Sequence, residues 1–95
     1  MKKMLPSGSS YVAMTVIGKT KIEFDNIALY YIQVAVPETN GAGYVAQKVP
    51  CDSEVVRYLP DDIGSYPLNI TAQVRFEKAQ GKLTPHVELV SEIFN

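Results

Sequence analysis

Tryptophan is absent from this sequence, and cysteine and histidine occur once each, as Cys51 and His86. A single cysteine excludes an internal disulfide. One thiol and one imidazole are too few soft ligands for a zinc site, and no cofactor is expected. His86 alternates with Thr84 and Glu88 on one face of a β-type segment, which reads as a sheet position and not as a general base. Cys51 stands in a loop before a turn and reads as a space-filling residue. No glycine-rich phosphate loop joins a strand to a helix, because Gly41 and Gly43 separate two β-type runs. Asp61-Asp62 reads as turn chemistry, not as a calcium loop. These absences predict a protein that is not an enzyme. No apolar run approaches the roughly 18 residues of a membrane-spanning helix. Lys2 and Lys3 are followed by Pro6-Ser7-Gly8-Ser9-Ser10, not by an apolar stretch, so no secretory signal is expected. The expected location is the cytoplasm, with no membrane partner.

Ninety-five residues fit one thin-cored domain, which dimerisation would help to stabilise. The net charge of −1 gives no global attraction to polyanions. Its distribution is uneven. The first 22 residues hold Lys2, Lys3, Lys19 and Lys21 and no acid, whereas the rest hold five basic and ten acidic residues. That pattern allows a local basic patch near the first turn, or simply an uneven solvated surface.

Alternation sets the fold class. Leu68, Ile70, Ala72, Val74 and Phe76 alternate with Asn69, Thr71, Gln73, Arg75 and Glu77, so one face of a strand is apolar and the other polar. Ala79-Gln80-Gly81-Lys82 forms a turn, and a second alternating segment follows, with Val87 and Leu89 apolar. Pro85 suits an edge or a bulge. Upstream, Tyr11 to Ile17 predicts a first strand and Gly18-Lys19-Thr20-Lys21 a turn. A second strand begins at or after Ile22 and is strongest from Ile27 to Val36. A glycine loop over Glu38 to Gly43 leads to a third strand, Tyr44 to Val49. Cys51 to Leu59 predicts one or two helical turns capped by Asp52 or Ser53. The domain is expected over residues 11–95, with residues 1–10 as a loose arm. The order is that of an all-β, five-stranded antiparallel OB-like barrel with a short helical turn between strands 3 and 4. A small SH3-like barrel or an open sandwich fits nearly as well.

Six tyrosines in so small a β domain offer flat faces. Single-strand binders combine aromatic faces, on which bases stack, with cations that neutralise phosphates. Tyrosines also cover sheets for purely structural reasons. Tyr30 and Tyr31 are adjacent and must point to opposite faces. Tyr31 groups with Leu29 and Ile27 in the core, leaving Tyr30 outward.

The layout resembles the single-stranded DNA-binding proteins of filamentous phages, the gene V type. Ile17-Gly18-Lys19-Thr20-Lys21-Ile22-Glu23-Phe24 falls where that family carries a basic wing. The stretch Leu59-Pro60-Asp61-Asp62-Ile63-Gly64-Ser65-Tyr66-Pro67-Leu68 resembles its loop into the fourth strand. Gln80-Gly81-Lys82-Leu83 resembles its next turn. The similarity covers residues 14–93 in order and spacing. Primosomal and bacterial single-strand-binding OB proteins resemble it at the same coarse level. The wing here is short, holds two lysines and no arginine, and is flanked by Glu23 and Asp25.

The resemblance implies a small cytoplasmic protein that coats single-stranded DNA, or RNA, during phage replication, as a homodimer. On that reading Lys19 and Lys21 meet phosphates, Phe24, Tyr30 and Tyr44 stack on bases, and Lys48, Arg57 and Arg75 line the backbone track. The rival expectation is a protein-interaction module without nucleic-acid affinity, which the acidic balance favours. A glycan- or small-ligand-binding OB domain is a third.

Overall fold

A computed structural model describes residues 9–79 and 81–94. Five strands form one antiparallel sheet: β1 (Ser9–Phe24), β2 (Ile27–Pro37), β3 (Tyr44–Pro50), β4 (Leu68–Ala79) and β5 (Lys82–Ile93). A short helix, α1 (Ser53–Tyr58), and a 3-10 turn, Ile63–Ser65, lie between β3 and β4. The strand order is β3-β2-β1-β4-β5. The architecture is the expected all-β, OB-like one. Among the described residues no helix is long and apolar enough to cross a membrane.

β1 organises the fold by serving two partners. Its first half pairs with β4, from Ser9 opposite Arg75 to Val16 opposite Leu68. Its second half pairs with β2, from Val16 opposite Val34 to Phe24 opposite Ile27. The register shifts between Val16 and Gly18, so Ile17 is an extra residue in the ladder. Such a bulge bends a strand and raises its twist, which lets β1 turn from one layer into the other. A Cβ at Gly18 would sit 2.8 Å from Gln33 Oε1, so the tip of the Gln33 side chain uses the space that glycine leaves.

The predicted turn at 18–21 is therefore a bulge followed by continuous strand. The chain reverses at Asp25 and Asn26, with φ of 49° and 63°. Two successive left-handed residues match the twist of a two-residue hairpin, and Asp and Asn tolerate them best after glycine. Of the predicted arm, Ser9 and Ser10 belong to β1 and residues 1–8 lie outside the described residues.

The two ends of the sheet meet where Cys51 bridges Val87 in parallel and the Asp52 amide donates to the Val87 carbonyl. The interior is filled by Val16, Ile32, Val34, Val49, Leu68, Ile70, Ala72, Val74 and Val87. Val55 of α1 and Leu59, the residue just after it, plug one end, both essentially fully buried. Each such side chain contributes ~1.5–3 kcal/mol by burial. The Asp52 side chain makes no capping bond at the start of α1; its Oδ1 lies 2.6 Å from His86 Nε2 across the closure. Tyr66 donates its hydroxyl to the Pro60 carbonyl at 2.6 Å and fixes the loop that returns the chain to β4. Burial, then the charge of Asp61, pushes its phenol pKa up.

Candidate nucleic-acid interface

Residues directly opposite each other in a ladder point to the same side of the sheet. On β2, Ile32 and Val34 are buried, so Ile27, Leu29, Tyr31, Gln33, Ala35 and Pro37 point outward. The register adds Phe24, Ile22, Thr20 and Gly18 from β1, and Tyr44, Ala46, Lys48 and Pro50 from β3. This outer face of β1–β2–β3 has three zones. At the hairpin tip lie Phe24 and Ile27, each about half exposed. At the centre, Lys48 Nζ stands 5.3 Å from the Tyr31 ring centroid, and Gln33 Nε2 donates to Thr20 Oγ1 at 2.8 Å. At the far end Tyr44 is 74% exposed beside a groove of about 600 Å³ lined by Thr15, Ile17, Ala35, Tyr44, Val45, Ala46 and Pro67. Ala35 and Ala46 keep that end of the sheet low, so a flat ring could approach the backbone beside Tyr44.

At ~3.3 Å per residue, the row from the Phe24–Ile27 pair to the Tyr44–Pro37 pair is roughly 33 Å long. Three aromatic rings and one cation therefore share an elongated face. Phe24, Tyr44 and Lys48 are brought together on it. Tyr31 is the fourth member.

The other expected site residues lie elsewhere. Tyr30 packs against the core from the opposite side of β2, so the expected orientation of Tyr30 and Tyr31 is reversed. The reversal follows from pairing: Tyr30 precedes buried Ile32 by two residues and shares its side. Lys21 is opposite Tyr30, with Nζ 6.0 Å from the ring, and forms an ion pair of 3.0 Å with Glu23. The Glu23 hydrogen bond, then its charge, raises the Lys21 pKa. Arg57 is exposed in the last turn of α1, which packs on β1, β2 and β5. Arg75 lies on the outer side of β4 and pairs with Glu77 at 2.8 Å and Glu88 at 2.7 Å. Hydrogen bonds to Glu77 and then Glu88 lead the causes of its raised pKa.

Lys19 differs most from the expected wing lysine. It is opposite buried Ile32 and only 14% of its side chain is exposed. Its Nζ donates to the Val56 carbonyl, the Leu59 carbonyl and Asp61 Oδ1, each at 2.6 Å. An ammonium has three donors, and here all three are used. Lys19 ties the C-terminal end of α1, where carbonyls lack helical partners, to the barrel wall. The bulge at Ile17–Gly18 is what places it inward, and a bulge leaves only a weak trace in sequence.

Among the described residues, Lys48, Arg57, Lys78 and Lys82 carry no ion pair. No group of three or more histidine, cysteine or acidic residues is placed to hold a metal among them. Cys51 is buried, and burial followed by the charge of Asp52 pushes its thiol pKa up to about 12.

No protein-family model and no curated protein sequence matches the chain. Among solved structures it is similar to the dimeric N-terminal domain of the PriB protein from Thermoanaerobacter tencongensis. The TM-score is 0.51 at 9% identity, over 94% of this chain and 96% of that one. The likeness is one of fold and spans the whole barrel.

Proposed function

We propose that the protein is a non-enzymatic, sequence-tolerant single-stranded DNA-binding protein that coats DNA in replication. The observation that carries this reading is the outer face of β1–β2–β3, where Phe24, Tyr31 and Tyr44 are aligned with Lys48. Stacking is worth ~1–3 kcal/mol per base and accepts any base, so three rings supply affinity without sequence preference. Lys48 neutralises a phosphate beside the central ring, whereas Arg57, exposed on α1, lies off this face. The fold shared with the PriB domain and the layout resembling gene V-type and primosomal single-strand binders support the same reading. A homodimer, a phage origin and a cytoplasmic setting are the finer parts of the proposal.

The paired state of Lys19, Lys21 and Arg75 limits the electrostatic share. With one phosphate neutralised per chain, by Lys48, the salt dependence has a log–log slope of only about −0.7. Tyrosine fluorescence, unobscured by tryptophan, reports a titration with oligo-dT at low salt. Saturable quenching at micromolar protein supports the reading, and an unchanged signal overturns it.

A second reading, a protein-interaction module without DNA affinity, draws on the apolar groove beside Tyr44 and on the neutralised cations. It predicts a stable complex with another protein and no response to oligo-dT.

A further inference from the structure

β3 is a terminal strand of the sheet, and among the described residues its outer edge has no backbone partner over residues 44–48. Closure of the barrel begins only at Cys51. Unpaired edges are usually guarded by charge, proline or bulges. The other terminal strand, β5, has such guards: Pro85 lies within it, Lys82, Glu88 and Glu92 mark its length, and two register shifts interrupt its ladder. The β2–β3 ladder runs without a shift, and Tyr44-Val45-Ala46-Gln47 holds no charge and no proline. Lys48 is the one charged residue on this edge.

We propose that this edge pairs with the same edge of a second copy, antiparallel and about a two-fold axis through Ala46. The sequence is self-complementary in that register. Ala46 meets the partner's Ala46 on the axis, where small side chains let two strands approach. Val45 meets the partner's Gln47. Tyr44 meets the partner's Lys48 on the outer face, and that ring is already 74% exposed. A lysine ammonium over a tyrosine face is attractive, so the contact is electrostatically complementary at both ends. An interface of this kind uses one patch twice, as a two-fold requires.

The pairing deepens the single-strand reading and rests on it for its purpose. One chain has a single cation among the aromatics of the outer face. Across the axis the partner's Lys48 is added beside Tyr44, and the two outer faces become one continuous sheet. The binding face is then completed by a residue from the second copy.

Substitution to cysteine tests the register without DNA. Directly opposite residues have Cα atoms ~4.5–5.5 Å apart, within the range a disulfide spans. Ala46→Cys is expected to yield a disulfide-linked dimer on mild oxidation. Tyr44→Cys and Lys48→Cys are each expected to stay monomeric on a denaturing gel when alone and to cross-link when mixed. The native thiol is buried and gives no background. Ala46→Asp sets two carboxylates face to face on the axis and weakens the dimer by about fivefold per unfavourable ~1 kcal/mol of cross-strand repulsion. Sedimentation reads that shift, and because Ala46 is exposed the fold itself is retained, as circular dichroism checks. A wild-type chain that sediments as a monomer throughout the micromolar range overturns the proposal. So does a dimer in which neither Ala46→Cys nor the mixed pair cross-links. The two readings separate cleanly. Oligo-dT binding by the wild-type chain without cross-linking of the variants removes the interface alone, and cross-linking with no oligo-dT binding by the wild-type chain removes the DNA reading and leaves the interface.

Discussion

Replacing Lys19 by methionine separates the structural reading of this residue from that of a phosphate contact. The substitution keeps most of the aliphatic stem and removes all three donors. Two of the lost bonds are charge-assisted and go to backbone carbonyls, of Val56 and Leu59, at 2.6 Å. Hydrogen bonds to charged groups contribute ~1.5–3 kcal/mol each. The third goes to Asp61, whose side chain is 96% exposed, and an ion pair so open to solvent adds little. Partial rehydration of the carbonyls offsets part of the loss, leaving about 3 kcal/mol. For a domain of this size that lowers the melting temperature by roughly 12–20 °C. Asp61→Asn, which removes only the exposed pair, is expected to cost under ~1 kcal/mol. Thermal denaturation followed by circular dichroism measures both. At a temperature where the variant is folded, its affinity for oligo-dT is expected to match that of the wild type. A Lys19→Met protein that melts with the wild type yet binds oligo-dT more weakly would refute the argument and restore Lys19 to the DNA interface.

Tyr44→Ala is expected to weaken oligo-dT binding by ~1–3 kcal/mol, about 5- to 150-fold, in a fluorescence or anisotropy titration, with the fold retained by circular dichroism. Lys48→Ala is expected to reduce the magnitude of the salt slope by about 0.7 per bound chain, which titrations at three salt concentrations resolve. Gly18→Ala meets only the terminal oxygen of the flexible Gln33 side chain, which can turn aside, so stability in a urea melt is expected to change by less than about 1 kcal/mol. The Cys51 thiol is raised to about 12 in the fold, so the unfolded chain gives up its proton first as pH rises from about 9. That contribution to stability is complete below pH 9 and is lost between pH 9 and 12. Tyr66, also raised, acts in the same direction above its ordinary value. Cys51→Val is expected to flatten the alkaline fall in stability measured by urea melts across this window.

The fold was largely legible because alternation reports directly on which side of a sheet is buried. Leu68, Ile70, Ala72 and Val74 are all buried, as their period demands, and the helical turn and the glycine loop fall where capping and turn residues put them. Phe76, the last of that row, is partly exposed because the hairpin runs past the end of the core. What alternation cannot show is a change of phase. The bulge at Ile17–Gly18 inserts one residue, turns Lys19 inward and converts an apparent turn into continuous strand. The true turn, Asp25-Asn26, did carry a signal in its two turn-forming residues between β-rich runs. Tyr30 and Tyr31 were ambiguous for a related reason: both neighbours are apolar, so only the cross-strand register decides between them. Ion pairing was also hidden, since Glu88 is 13 residues from Arg75 and meets it only through the β4–β5 ladder.

The central claim is that single-stranded DNA lies on the outer face of β1–β2–β3. Amide chemical-shift mapping with oligo-dT at low salt tests it most directly. The account predicts saturable shifts clustered at Thr20, Phe24, Tyr31, Gln33, Tyr44 and Lys48, with α1 and the outer side of β4 unchanged. Shifts centred on Arg75 and the β4–β5 face, or none at saturating oligonucleotide, would contradict it.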